Sequence, residues 1–178
     1  RGPDVSFANC GLPYFIGGEI AGRDALAVQT PASLQSLLNL DVRTRSEAIS
    51  IDRANKRVEI RHLDTGGIEW QSYDKLMLAP GASPLRPDLP GIGDERIFTL
   101  RNLQDMDRIV AATESGMRAV VIGAGFIGVE MAEQLHHRGL SIQLVELQSQ
   151  VFPQLDAPMT ALLESELRHH DIGITLGD

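Results

Sequence analysis

The chain has 178 residues, 43% hydrophobic and 22% charged, a balance that builds a core under a solvated surface and excludes disorder, collagen and coiled coil as whole-chain answers. A net charge of −8 without any Lys/Arg cluster argues against nucleic acid or an anionic membrane as partner, and no apolar run approaches the roughly 18 residues of a membrane span. The single cysteine rules out a disulfide framework and a cysteine metal cage.

In chain order, Val5 to Gly18 is a short apolar stretch around Cys10, expected as a turn leading into a helix that Gly17-Gly18 ends. A second helix is expected from Thr30 as N-cap with Pro31 at its first position, where the missing N–H costs nothing. Alternation over 48–52, 57–63 and 68–73 predicts an antiparallel meander. Lys75 to Ala79 reads as a continuous buried strand halted by Pro80-Gly81, and the Pro/Gly-rich stretch 82–93 as a linker. A helix over 103–113 follows. Then come a buried strand over 118–122, a helix over 126–138 stopped by Gly139, and a strand over 141–146. That is a βαβ unit and requires a parallel sheet. A last helix starts from Asp156 and reaches about His170, before a strand over 172–176. The fold class is therefore α/β: a Rossmann-like nucleotide-binding βαβ with an antiparallel meander. The chain opens at Arg1 without an initiator Met or a secretory segment and stops at Asp178 just past a strand, so it reads as a piece of a longer protein.

Gly123-Ala-Gly125-Phe126-Ile127-Gly128 is a G-x-G-x-x-G between a strand and a helix, and Glu146 closes the next strand eighteen residues past Gly128. The first glycine permits a tight turn, the second lets backbone approach a pyrophosphate, and the third lets helix and strand pack closely. Free N–H groups at the helix start face the phosphates. Glu146 is then placed to accept the two ribose hydroxyls of an adenosine. The competing reading is a glycine-rich turn without a ligand.

Cys10 stands in Ser6-Phe-Ala-Asn9-Cys10-Gly-Leu-Pro-Tyr14. A thiolate at the start of a helix is stabilised by unpaired backbone N–H groups, although an isolated cysteine among apolar neighbours is more often a small buried hydrophobe. The paired histidines His136-His137 and His169-His170 point about 100° apart on their helices, so neither pair shares a metal and no metal is expected. Trp70 is expected to serve packing.

The run Asn9 to Tyr14 resembles the single-cysteine group of FAD-dependent pyridine nucleotide-disulfide oxidoreductases, closest to coenzyme A disulfide reductases and NADH-dependent persulfide reductases. So do Tyr73 to Ala82, Phe98 to Asn102, and the glycine turn with Phe126 and Glu130. The resemblance covers nearly the whole chain and implies a fragment of a two-nucleotide-domain flavoprotein. Residues 1–101 would be part of an FAD domain and 102–178 part of an NAD(P)H domain. The parent would be a cytoplasmic homodimer using FAD and NADH, and the fragment by itself would be inactive. Cys10 would be the redox nucleophile, with Ser6 and Asn9 lining a small thiol, disulfide or persulfide substrate. Ala79, Pro80 and Gly81 would neighbour FAD, Phe126 would cover the nicotinamide side of the flavin, and Ile127, Glu130 and Arg101 would lie near the cofactors. Outside the resemblance, Arg101 and Glu130 read as a surface ion pair and a helix-face carboxylate. Phe15 stands where two-cysteine relatives carry their second Cys, which implies a mixed disulfide or persulfide on Cys10. Ser33 to Asn39 departs from the pattern, offering no basic residue to the phosphates of coenzyme A. Two other readings compete: an NADH oxidase or peroxidase cycling through cysteine sulfenic acid, and a non-catalytic nucleotide-binding module.

Overall fold

A computed structural model describes residues 2–178, which pack as two units. The first takes the chain through Ala8 together with Ala27–Ser83, and the second takes Asn9–Leu26 with Pro84–Asp178.

In the first unit, β1 (Ser6–Phe7) pairs antiparallel with β2 (Ala27–Gln29), a pair that carries no alternating signature in the sequence. Helix α2 (Pro31–Leu38) starts as expected: Ser33 N–H donates to the Thr30 hydroxyl, and the Ser33 hydroxyl accepts from Thr30 N–H. The meander forms from β3 (Ser46–Asp52), β4 (Arg57–His62) and β5 (Ile68–Ser72), antiparallel in that order. Its turns are polar and self-satisfied, Asp52 accepting from Asn55 and Arg57. Trp70 does not pack inside. It is exposed on β5 and carries the Arg57 guanidinium over its ring at 4.3 Å.

The expected buried strand over 75–79 is not a strand. The segment belongs to no sheet, with Met77 89% exposed and Leu78 68% exposed. Its composition suits a strand covered on both faces, but the described residues supply neither a neighbouring strand nor a cover.

The second unit holds the parallel sheet. Strands β6 (Arg118–Ile122), β7 (Ser141–Glu146) and β8 (Gly173–Leu176) lie in that order with register Val121 to Leu144 and Leu144 to Ile174. Helix α4 (Phe126–His137) is the crossover between β6 and β7 and α5 (Ala157–His169) the one between β7 and β8, giving the βαβαβ half of a doubly wound fold. Leu144 and Ile142 of β7 and Met131, Ala132 and Leu135 of α4 are buried. Strand β6, read from sequence as buried, is half so: Val120 is 64% and Ile122 67% exposed, because α4 covers one face of the sheet and nothing described covers these two residues. The remaining elements are α1 (Leu12–Gly17), preceded by a 3-10 turn over Asn9–Gly11, and α3 (Leu103–Ala112), capped by the Asn102 side chain accepting from Asp105 N–H. α1 packs against both α3 and α4, with Ile16 and Met106 fully buried. Arg23 grips Asp107 of α3 through two nitrogens and both carboxylate oxygens, at 3.0–3.1 Å.

The Asn55 hydrogen bonds, then Arg57, hold the Asp52 carboxyl down at about 2. A depressed carboxyl contributes stability that is whole above its usual value near 4 and is lost as pH falls through about 2. The Asp52 carboxyl carbon should therefore titrate by NMR with a midpoint near 2, and Asp52→Asn should remove the matching part of the acid sensitivity of the meander.

Candidate nucleotide and thiol site

Two glycines of the turn between β6 and α4 have a physical reason in the fold itself. Gly123 has φ +95, a left-handed conformation that side chains resist, while its N–H stays bonded to Val145 O at 2.8 Å. At Gly128 a Cβ would lie 1.7 Å from Gly123 O, so only glycine allows α4 to cross its strand this closely. At Gly125 a Cβ would meet no atom within 4 Å. The space over this N-cap is open, and no side chain caps the start of the 12-residue helix α4. The first backbone N–H groups of α4 therefore have no side-chain acceptor.

Glu146 is buried and occupied: one oxygen accepts Ala124 N–H at 2.6 Å and the other Gln148 N–H at 2.9 Å. Its carboxylate thus holds the turn in shape, a task the sequence pattern does not reveal, and each oxygen keeps a further lone pair for another donor. Phe152 closes the turn from the other side. Its N–H donates to Ala124 O at 2.8 Å, its backbone is left-handed at φ +45, and its ring meets Phe126 edge-on at 4.7 Å. Phe126 is 62% exposed and Ile127 is exposed too, at the head of α4.

Cys10 is a free, exposed thiol in the 3-10 turn before α1, so the buried-hydrophobe reading does not hold. Asn9 beside it is also exposed, and its Oδ1 accepts a long 3.4 Å hydrogen bond from Arg101 Nη1. Arg101 therefore stands at the thiol segment. Glu130 of α4 faces α1, and its charge is the main cause pushing the Tyr14 phenol up. Ser6 lies on β1, Ala79 ends the exposed apolar segment and Pro80 and Gly81 follow it, all four in the first unit; Gly81 has φ +73. Among the described residues, no three His, Cys, Asp or Glu side chains converge to hold a metal, and no helix is long and apolar enough to cross a membrane.

With this geometry, the family pattern described as pyridine nucleotide-disulphide oxidoreductase matches residues 2–178. The chain belongs to that family. It is 32% identical to an NADH oxidase of Enterococcus faecalis, covering 100% of this chain and 40% of the relative. To a coenzyme A disulfide reductase of Staphylococcus haemolyticus it is 35% identical, covering 98% of this chain and 40% of the relative. The crystal structure of reduced Bacillus anthracis CoADR-RHD superposes with a TM-score of 0.96 at 44% identity, covering all of this chain and 32% of that one. The chain thus spans about 40% of the length of the curated relatives it matches.

Gly128→Ala should drive α4 from its strand. Overpacking of this kind costs about 1–3 kcal/mol, to be read as a lowered denaturant midpoint with an unchanged slope.

Proposed function

We propose that this chain carries the redox cysteine and the first half of the nicotinamide-nucleotide domain of a flavin-dependent NADH oxidoreductase. The full-length enzyme would reduce low-molecular-weight disulfides or persulfides of the coenzyme A type. One observation carries the reading: the exposed thiol of Cys10 belongs to the same compact unit as the glycine turn, on a segment packed against the helix that leaves that turn. In this reading residues 1–101 are the FAD side and 102–178 the nicotinamide side, with the Cys10 segment resting on the latter.

NADH fits the open cradle at Gly125, its pyrophosphate on the free N–H groups of α4 and its adenosine ribose at Glu146. Ala79, Pro80 and Gly81 would meet FAD, and Phe126, Ile127 and Glu130 would line the approach of the nicotinamide. When bound, FAD supplies the passage of an electron pair from NADH to sulfur.

The chemistry left to this chain is at Cys10. Its thiolate attacks one sulfur of the substrate; the sulfur–sulfur bond breaks, one thiolate leaves and takes a proton, and a mixed disulfide remains on Cys10. The electron pair from NADH then cleaves that bond, releases the second thiol and restores the Cys10 thiolate. Asn9 and Ser6 would line the substrate, and Arg101 would hold Asn9 in place. A second reading draws on the identity to an NADH oxidase: oxidation of Cys10 to sulfenic acid by peroxide, reversed by the same electron pair.

In the full-length protein, Cys10→Ser should leave reduction of the flavin by NADH largely intact and abolish reoxidation by disulfides or persulfides, followed by stopped-flow absorbance. Full disulfide turnover in that variant contradicts the assignment. Reoxidation of the wild-type enzyme by peroxide or oxygen but by no disulfide selects the oxidase reading.

Glu146 also bears on cofactor choice. The 2′-phosphate of NADPH would meet its carboxylate, and two like charges about 4 Å apart repel by about 4 kcal/mol at an effective dielectric of 20. Gln148 and Gln150, which follow, bring no cation to offset it. The expected kcat/KM is at least about tenfold higher for NADH, with Glu146→Ala eroding the ratio by about 1 to 3 kcal/mol. Because Glu146 also holds the turn, that variant should lower efficiency with both cofactors, and the ratio isolates the ribose contact. Equal efficiency with NADPH in the wild type removes that contact.

A further inference from the structure

Helix α4 grips the cysteine-bearing segment at the end opposite its thiol. The last carbonyls of the six-residue α1 need partners. Gly18, left-handed at φ +90, donates its N–H to Phe15 O, and Glu19 N–H donates to Tyr14 O. Ile16 O instead accepts from Arg138 Nη1 at 3.1 Å. The same guanidinium donates through Nε and Nη2 to Thr113 O and through Nη2 to Val110 O, at 3.1–3.2 Å, closing the end of α3. One cation thus sits at the negative ends of two helices from its own place at the end of α4.

One turn earlier on α4, Gln134 is 1% exposed. Its Nε2 donates to Glu19 Oε1 at 2.8 Å, while its Oε1 has no hydrogen-bond partner. That oxygen lies 1.9 Å from where a Cβ on Gly17 would stand. Gly17 is not in the left-handed region, so its want of a side chain is explained by this approach and not by backbone conformation. An amide oxygen kept buried without a donor is unfavourable, and its place is set by the close fit of α4 to α1. Glu130, farther up α4, acts on Tyr14, farther up α1. The ends of the two helices are thus held together at Ile16, Gly17 and Glu19. Cys10 stands just before α1 and the glycine turn just before α4, so each lies at the start of a helix whose end is fixed there.

We propose that Gln134 and Arg138 are positioning residues that set the distance between Cys10 and the dinucleotide turn, with α4 as the rigid spacer. The inference rests on the reading of Cys10 as the redox nucleophile. Thiol–disulfide attack needs its atoms in near-contact geometry, and misplacement by about 1 Å can cost about a hundredfold in rate. Neither residue touches the reacting sulfur; they act through the far end of α1.

The test uses the full-length protein with Gly17→Ala, Gln134→Ala, the double variant, Arg138→Ala and Arg138→Lys. It reads the rate of Cys10 alkylation by iodoacetamide at fixed pH, the rate of reoxidation of NADH-reduced enzyme by a disulfide, and the rate of reduction by NADH. Gly17→Ala and Arg138→Ala should each change the alkylation rate at least about threefold and slow reoxidation at least about tenfold, with reduction by NADH altered less than about threefold. Gln134→Ala should itself slow reoxidation, because the contact at Gly17 and the hydrogen bond to Glu19 are lost, while in the double variant the new methyl meets only the shortened side chain and should recover part of what Gly17→Ala loses, as Arg138→Lys should recover part of what Arg138→Ala loses. A double variant no better than Gly17→Ala, or variants that leave alkylation and reoxidation at wild-type rates, overturn the proposal. If Arg138→Ala does not fold, the Gly17 and Gln134 pair still decides. Alkylation is read whether or not disulfides are the substrate. Failure of the functional reading, seen as a wild-type enzyme that no disulfide reoxidises, is therefore told apart from failure of this one.

Discussion

The close crossing of α4 over the strand that feeds it constrains the rest of the second unit. A Cβ at residue 128 would stand 1.7 Å from Gly123 O, so helix and strand are locked at backbone distance with no side chain to adjust between them. Gly123 must turn left-handed to allow it, and Glu146 and Phe152 secure the Ala124 peptide that results. The helix leaves that turn in a fixed direction, and its far end carries Gln134 and Arg138 against α1. The end of α1 is thus held by residues six and ten positions beyond the helix–strand contact at Gly128.

Local sequence rules reached far where elements are stabilised by their own residues. The meander, the Thr30 start and the βαβ strands declare themselves by alternation, capping chemistry and glycine spacing. The segment 75–79 did not behave as its apolar run suggests, because a strand needs a partner to accept its hydrogen bonds and none is described beside it. Val120 and Ile122 show the same limit: apolar composition announces a buried face but does not supply the cover. The β1–β2 pair escaped notice because five residues cannot show a period.

The site divides along similar lines. Gly123 and Gly128 were legible, since each serves a local backbone need where a strand turns tightly into a helix. The supporting role of Glu146 was hidden, because its oxygens bond main-chain N–H groups that every residue has. Gln134 and Arg138 were hidden for a related reason: Arg138 bonds the carbonyls of residues 16, 110 and 113, and Gln134 meets a bare Cα at 17 and the Glu19 carboxylate 115 residues away, which no local motif records. Only packing α1 against α4 makes them visible.

The Ala124 peptide has a consequence for how this protein tolerates variation. Its N–H goes to Glu146, its carbonyl receives Phe152 N–H, and the residue itself is fully buried. Both backbone groups are committed whatever side chain is attached, so residue 124 is filtered by volume and hardly at all by chemistry. A randomised library at this codon would enrich glycine, alanine and serine together and discard everything larger. The tolerated set would resemble a size filter, whereas at 128 the same selection would return glycine alone.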